Sequence, residues 1–182
     1  MHRHGVTRMM LDWTRTVVLL ATLAVAVYQD VRWRKITNRL ILVAAGTTVL
    51  VALMQDGING LGDALLGGIL GFLCFIPLYL LQVMGAGDVK LMAVVGMLVG
   101  PDQILPAVLA VLVAGGVFAL VVAIHQHRLG QLRKNLQDMA SGLLLRLTGL
   151  ENLASVRRQQ LTVAQMPYAV AIATGTLFWV FG

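Results

Sequence analysis

The chain has 182 residues, of which 58% are hydrophobic and 12% charged, where soluble domains average about 45–50% apolar and about 25% charged. With a mean hydropathy of +0.83, this composition excludes a soluble globular domain and predicts an all-α, polytopic membrane helical bundle forming one domain over 1–182, with the lipid bilayer as its surroundings. The net charge of +6 would suit a nucleic-acid binder, but the basic residues cluster in a few inter-helical segments, as membrane topology requires, so no nucleic acid is expected as a partner.

The first apolar run covers 14–29. Basic residues before it and the triplet Ala24-Val25-Ala26 imitate a cleavable signal peptide, but Arg32, Arg34 and Lys35 follow at once as a stop-transfer flank. The run is therefore expected to be a retained helix closing on Asp30. Further runs follow at 38–54 and 61–84, and the second of these carries the one cysteine, Cys74, between Leu73 and Phe75. A single cysteine excludes an internal disulfide and a multi-cysteine zinc cluster, and Cys74 reads as a buried apolar thiol. The run at 89–100 is short of the about 17–25 residues a span needs; it is either a half-helix or continues through Pro101 and Asp102. Runs at 104–124 and 163–181 complete about six transmembrane helices. Between these last two, within 125–162, Leu129, Leu132, Leu136, Met139, Leu143, Leu147 and Leu150 recur at steps of three and four, with Arg133, Lys134, Asp138 and Arg146 between them. That pattern predicts an amphipathic helix in the cytoplasmic headgroup layer, serving as an interfacial anchor or as a contact for substrate.

Charge sets the orientation. With six spans and the N-terminus outside, eleven basic residues lie inside and three (Arg3, Arg8 and Arg15) lie outside, as the positive-inside bias favours. Asp30 then ends the first span and Asp88 opens the fourth at the same, cytoplasmic, face. Asp56, Asp63 and Asp102 fall on the outer side. Two stretches read Gly-x-Gly-Asp, Gly60-Leu61-Gly62-Asp63 and Gly85-Ala86-Gly87-Asp88. Topology separates them, because Asp63 lies a bilayer thickness, about 30 Å, from Asp30.

An acid beside hydrocarbon is costly and is a functional-site candidate by default. Two carboxylates within a few ångströms share a proton, so one can serve as general base toward water and the other as general acid toward a carbonyl. That is aspartic-protease chemistry, with no metal and no cofactor expected. Gly85 and Gly87 would let the backbone adopt unusual dihedrals and let substrate approach. The plainer reading of Asp30, beside Arg32 and Arg34, is an ordinary interfacial charge. Lys90 reads as a snorkelling anchor ahead of an electrostatic tuner of Asp88. Asn38, His125 and His127 sit at helix ends, where solvated residues are the default, and no third ligand makes the histidines a metal site. From another functional class, carboxylates at helix ends also fit a small transporter or an assembly subunit of a secretion or pilus machine.

Gly85-Ala86-Gly87-Asp88-Val89-Lys90-Leu91-Met92-Ala93 resembles the GxGDxKLMA signature of type IV prepilin peptidases, membrane aspartic proteases of the GxGD class. Asp30 with Ile36-Thr37-Asn38 resembles that family's first catalytic aspartate and its IPN motif, and Met166-Pro167-Tyr168-Ala169-Val170-Ala171-Ile172-Ala173 resembles the PYxxAIA stretch of its last helix. The resemblance implies a multi-pass inner-membrane endopeptidase that removes the basic leader from prepilins or pseudopilins at the cytoplasmic face. Asp30 and Asp88 would be its catalytic pair, with Gly85, Gly87, Lys90 and Asn38 as supporting motif residues. The sequence departs from the pattern at Thr37, where IPN has proline, so the turn is expected to lose a fixed backbone angle. It also lacks the family's cysteine-bearing N-terminal extension, which predicts peptidase activity without methyltransferase activity, as in the short forms that serve Flp or Tad pili.

Overall fold

The structure, a computed structural model, describes residues 13–81, 84–125 and 168–181. The amphipathic helix expected within 125–162 lies outside the described residues, as do His127, Arg3, Arg8, Met166 and Pro167. Among the described residues the elements are helices: α1 (Trp13–Trp33), α2 (Asn38–Leu80), α3 (Ala86–Val99), α4 (Pro101–His125) and α5 (Tyr168–Phe181). Helices are what a hydrocarbon environment demands, because each backbone N–H and C=O must find its partner within the segment. The hydroxyls of Thr47, Thr48 and Thr174 obey the same constraint, donating to the carbonyls of Val43, Ala44 and Val170 at 2.8 Å each.

At 43 residues α2 would be about 65 Å long if straight, twice the bilayer core. It is broken at Gly57, whose φ of 61° and ψ of −138° lie outside the helical region and favour glycine over residues with a Cβ. The chain reverses there. Gly60 lies directly on Ala52, a Cβ at Gly60 meeting the Ala52 carbonyl oxygen at 2.6 Å, although the two are eight residues apart. The break falls between the apolar runs 38–54 and 61–84. Arg15 of α1 fastens the hairpin tip, with Nε donating to Gln55 Oε1 at 2.8 Å and the guanidinium pairing with Asp56 Oδ2 at 2.6 Å.

The second limb of α2 runs antiparallel to α3 along a glycine seam. Gly67 faces the Gly96 carbonyl, and Gly71 faces that of Met92. The short α3 is the centre of the bundle, with Val89, Leu91, Met92, Val94, Val95, Gly96 and Leu98 all buried. A helix that is apolar on every side belongs in such a position. The alternative in which the 89–100 run continues is not realised. Gly100 takes φ 81° and its N–H returns to Gly96 O at 2.9 Å, and Pro101 opens α4, where its missing N–H is no loss. Helix α5 lies antiparallel on α4, with Gly175 against the backbone of Val111 and Gly115 against Ala171.

Among the described residues, three helices are long and apolar enough to cross a membrane: Trp13–Trp33, Asn38–Leu80 and, within α4, Pro101–Val121. Their outward faces are apolar too. Leu105, Leu109, Leu112, Val113, Val117 and Leu120 of α4 are all exposed, a continuous patch that water would not tolerate and lipid would. The protein is a membrane protein built from α-helices.

Candidate active site

Four stretches meet at the end of the bundle opposite the α2 hairpin tip: the C-terminal end of α1, the loop 34–37, the turn before α3 and the first turn of α5. Asp30 and Asp88 lie here, each 8% exposed, and they are the buried charged residues among those described. Asp56, Asp63 and Asp102 are exposed. Asp63 stands one turn before Gly67, which packs where α3 ends at Gly96 and Gly100. It is thus more than about 16 Å along the α3 axis from Asp88. The aspartates of the two Gly-x-Gly-Asp stretches thus lie toward opposite ends of α3.

Each buried carboxylate has one oxygen satisfied by a backbone amide, which offsets part of the cost of removing it from water. Asp88 occupies the first turn of α3. The Gly85 N–H donates to its Oδ2 at 3.1 Å and its own N–H donates to Gly85 O at 3.1 Å, closing the helix start upon itself. Asp30, from α1, receives the Ala169 N–H at 2.9 Å on Oδ2 and so caps the first turn of α5 from across the bundle. The two carboxyls interact electrostatically with each other, and Asp30 does so with Arg34. Arg34 holds φ 52°, an uncommon conformation for a residue with a Cβ, and ends α1 with its N–H on Asp30 O at 2.8 Å.

The structure narrows what these glycines do. Gly85 has φ −79° and ψ 156°, ordinary extended backbone, so unusual dihedrals are not its reason for being glycine. A Cβ at Gly87 would stand 3.1 Å from Ile36 Cβ. The space above Gly87 is filled by Ile36 of the α1–α2 turn, not left open to an incoming chain. Lys90 has a protein partner as well, its Nζ donating to Asn38 Oδ1 at 2.9 Å, which ties the start of α3 to the start of α2. Among the described residues no cluster of three metal-ligating side chains occurs.

Thr37 explains how the turn dispenses with proline. Its φ of −75° lies within proline's range. It is held there by Gln29, whose Oε1 accepts from both Thr37 N and Thr37 Oγ1 at 3.0 Å, while Oγ1 accepts from Leu40 N at 3.4 Å as the N-cap of α2. Thr37→Pro should therefore be mildly destabilising. The lost cap costs about 1 kcal/mol and the lost amide bond about 1 kcal/mol more, and the restricted unfolded chain returns about 0.4–1 kcal/mol of this. Thermal unfolding in detergent should find the variant within a few degrees of the parent, with activity retained; a collapse in stability would contradict the geometry described for this turn.

Sequence reasoning missed Gln29, the Ala169 amide and Tyr168, whose phenol interacts electrostatically with Asp88. Tyr168 and Ala169 entered only as part of a motif in the last helix. Comparison with curated proteins and with solved structures returned no match. Comparison with protein families returned one over residues 17–120, the type IV leader peptidase family, and that span takes in both buried aspartates and the helices that carry them. With more than half its length matched, the chain belongs to the type IV leader peptidase family.

Proposed function

We propose that the chain is an aspartic endopeptidase of the inner membrane that removes the basic leader from prepilins or pseudopilins, with Asp30 and Asp88 as the catalytic pair. The observation that carries this reading is the burial of two acids at one end of the bundle, in a chain of the leader peptidase family, while Asp56, Asp63 and Asp102 stay exposed. One carboxylate takes a proton from water, and the oxygen attacks the scissile carbonyl. The other carboxyl donates its proton to the carbonyl oxygen, giving a tetrahedral diol. Its collapse breaks the C–N bond as a proton passes to the leaving amine. Asn38 and Lys90 hold the two turns together around the pair.

Six spans with the N-terminus outside put this end of the bundle at the cytoplasmic face. The reading is supported by the hairpin at Gly57 and by the basic residues Arg32, Arg34, Lys35 and Arg39 next to Asp30. Purified protein in lipid vesicles, given a precursor with a short basic leader ahead of an apolar helix, should make a single cut at that junction. The product mass should carry no added methyl group, and the cut should persist in chelator. A precursor left at its full mass would contradict the proposal.

Affinity should come mainly from the substrate's apolar helix. The leader and the inner face are both basic, so long-range attraction does not recruit it. Exchanging leucines of that helix for polar residues should raise KM at least about tenfold, the effect of losing one buried aliphatic side chain or more. Dependence on leader charge alone, with KM indifferent to the helix, would overturn this.

A further inference from the structure

Gln29 is the residue before Asp30, and the proposed chemistry gives it no part. Its Oε1 accepts from both Thr37 N and Thr37 Oγ1 at 3.0 Å, which closes the loop 34–37 back on α1. The other end of that loop is held by Asp30, whose backbone carbonyl receives the Arg34 N–H at 2.8 Å. Two neighbouring residues of α1 thus clamp both ends of the loop. Its one apolar residue, Ile36, packs against the buried core. It rests on Gly87, the neighbour of Asp88: a Cβ at Gly87 would stand 3.1 Å from Ile36 Cβ and 3.7 Å from Ile36 N. The loop's backbone, and not only a side chain that could turn away, lies against the start of α3. A chain of contacts therefore runs from the helix of Asp30, through the clamped loop, to the turn that carries Asp88.

The two ends of the loop are not equivalent. The bond from Arg34 to Asp30 is backbone to backbone, so it does not depend on which side chains are present. The Thr37 end depends on the side chain of Gln29. Thr37 is exposed, so water can replace Gln29 as the partner of its amide; loss of Gln29 frees the loop's end and leaves the fold standing. We propose that Gln29 is a positioning residue of the aspartate pair: by holding Thr37 at its φ of −75° it seats Ile36 on Gly87, and so sets where Asp88 stands relative to Asp30. This rests on the proposed role of the two aspartates. Proline would hold the same angle through its ring and has no N–H to satisfy. The two devices are therefore interchangeable, and a chain with proline at position 37 needs no acceptor at position 29.

The test compares the parent, Gln29→Leu, Thr37→Pro and the double variant as full chains in lipid vesicles. Leucine keeps most of the side chain's bulk and removes the acceptor. Without substrate, hydrogen exchange read by mass spectrometry should quicken over residues 34–36 in Gln29→Leu and return to the parent's rate in the double variant. Turnover of a prepilin should show kcat of Gln29→Leu reduced about tenfold or more, since a misplacement of about 1 Å can cost about 10²-fold, with KM within a factor of about two. The double variant should recover kcat to within about threefold of the parent, whereas independent effects would multiply. Unchanged exchange in Gln29→Leu would overturn the inference, because the loop would not be held by Gln29. Faster exchange with the parent's kcat would overturn it too, and so would a double variant no more active than Gln29→Leu. Failure of the underlying reading would look different: Asp88→Asn would cleave like the parent.

Discussion

Asp30→Asn should abolish cleavage while leaving the fold intact, and Asp30→Ala should damage both. Asparagine keeps an oxygen where the carboxylate oxygen accepts the Ala169 N–H, so α5 stays capped. It can neither take a proton from water nor give one, and activity should fall by about 10³-fold or more. Alanine leaves that amide without an acceptor in a buried position, which costs about 1–3 kcal/mol. Unfolding in detergent alongside a cleavage assay separates the two effects. Equal stability of the two variants would mean that Asp30 does not anchor the last helix. Full activity in Asp30→Asn would remove it from the chemistry.

The second large effect is steric. Gly96→Val should unfold the bundle, or come close, because a Cβ at Gly96 would run into the backbone carbonyl of Gly67, and a backbone cannot swing aside as a side chain can. Replacing a helical glycine normally gains up to about 1 kcal/mol in propensity, whereas overpacking of this kind costs ~3 kcal/mol, so the clash wins. Gly46 is the internal control. Nothing lies within 4 Å of a Cβ there, and Gly46→Ala should hold or slightly raise the melting temperature. Because α3 carries Asp88, Gly96→Val should also lose activity. If it melts with the parent, the seam between α2 and α3 is not as close as described.

Much of this architecture is legible in the chain because hydrocarbon restricts what a sequence can do. Apolar runs at 14–29, 38–54 and 104–124 lie within α1, the first limb of α2 and α4. The break between the second and third runs is marked by a glycine, at position 57. The two acids were legible by cost alone, since Asp30 and Asp88 lie where an unpaired charge is expensive. Other features carry no such mark. Helix α3 reads as a weak span because it is short, and only the packing shows that it is surrounded by α2, α4, α5 and α1. Gly87 reads as a glycine kept small for a substrate, and only the packing reveals Ile36 above it. The donor to Asp30 is a backbone amide, a group every residue but proline has, so no pattern of side chains could announce it. Thr37 looks like a loss against proline until Gln29, eight positions earlier, supplies the hydrogen bonds that hold the turn.

The central claim is that the buried pair, and not just any acid after Gly-x-Gly, performs the hydrolysis. The most direct test co-expresses a prepilin with the parent chain, Asp30→Asn, Asp88→Asn and Asp63→Asn, and reads the N-terminal mass of the product. The account predicts mature pilin with the parent and with Asp63→Asn, and uncut precursor with the other two. Cleavage undiminished in Asp30→Asn or Asp88→Asn, in protein that folds, would contradict it.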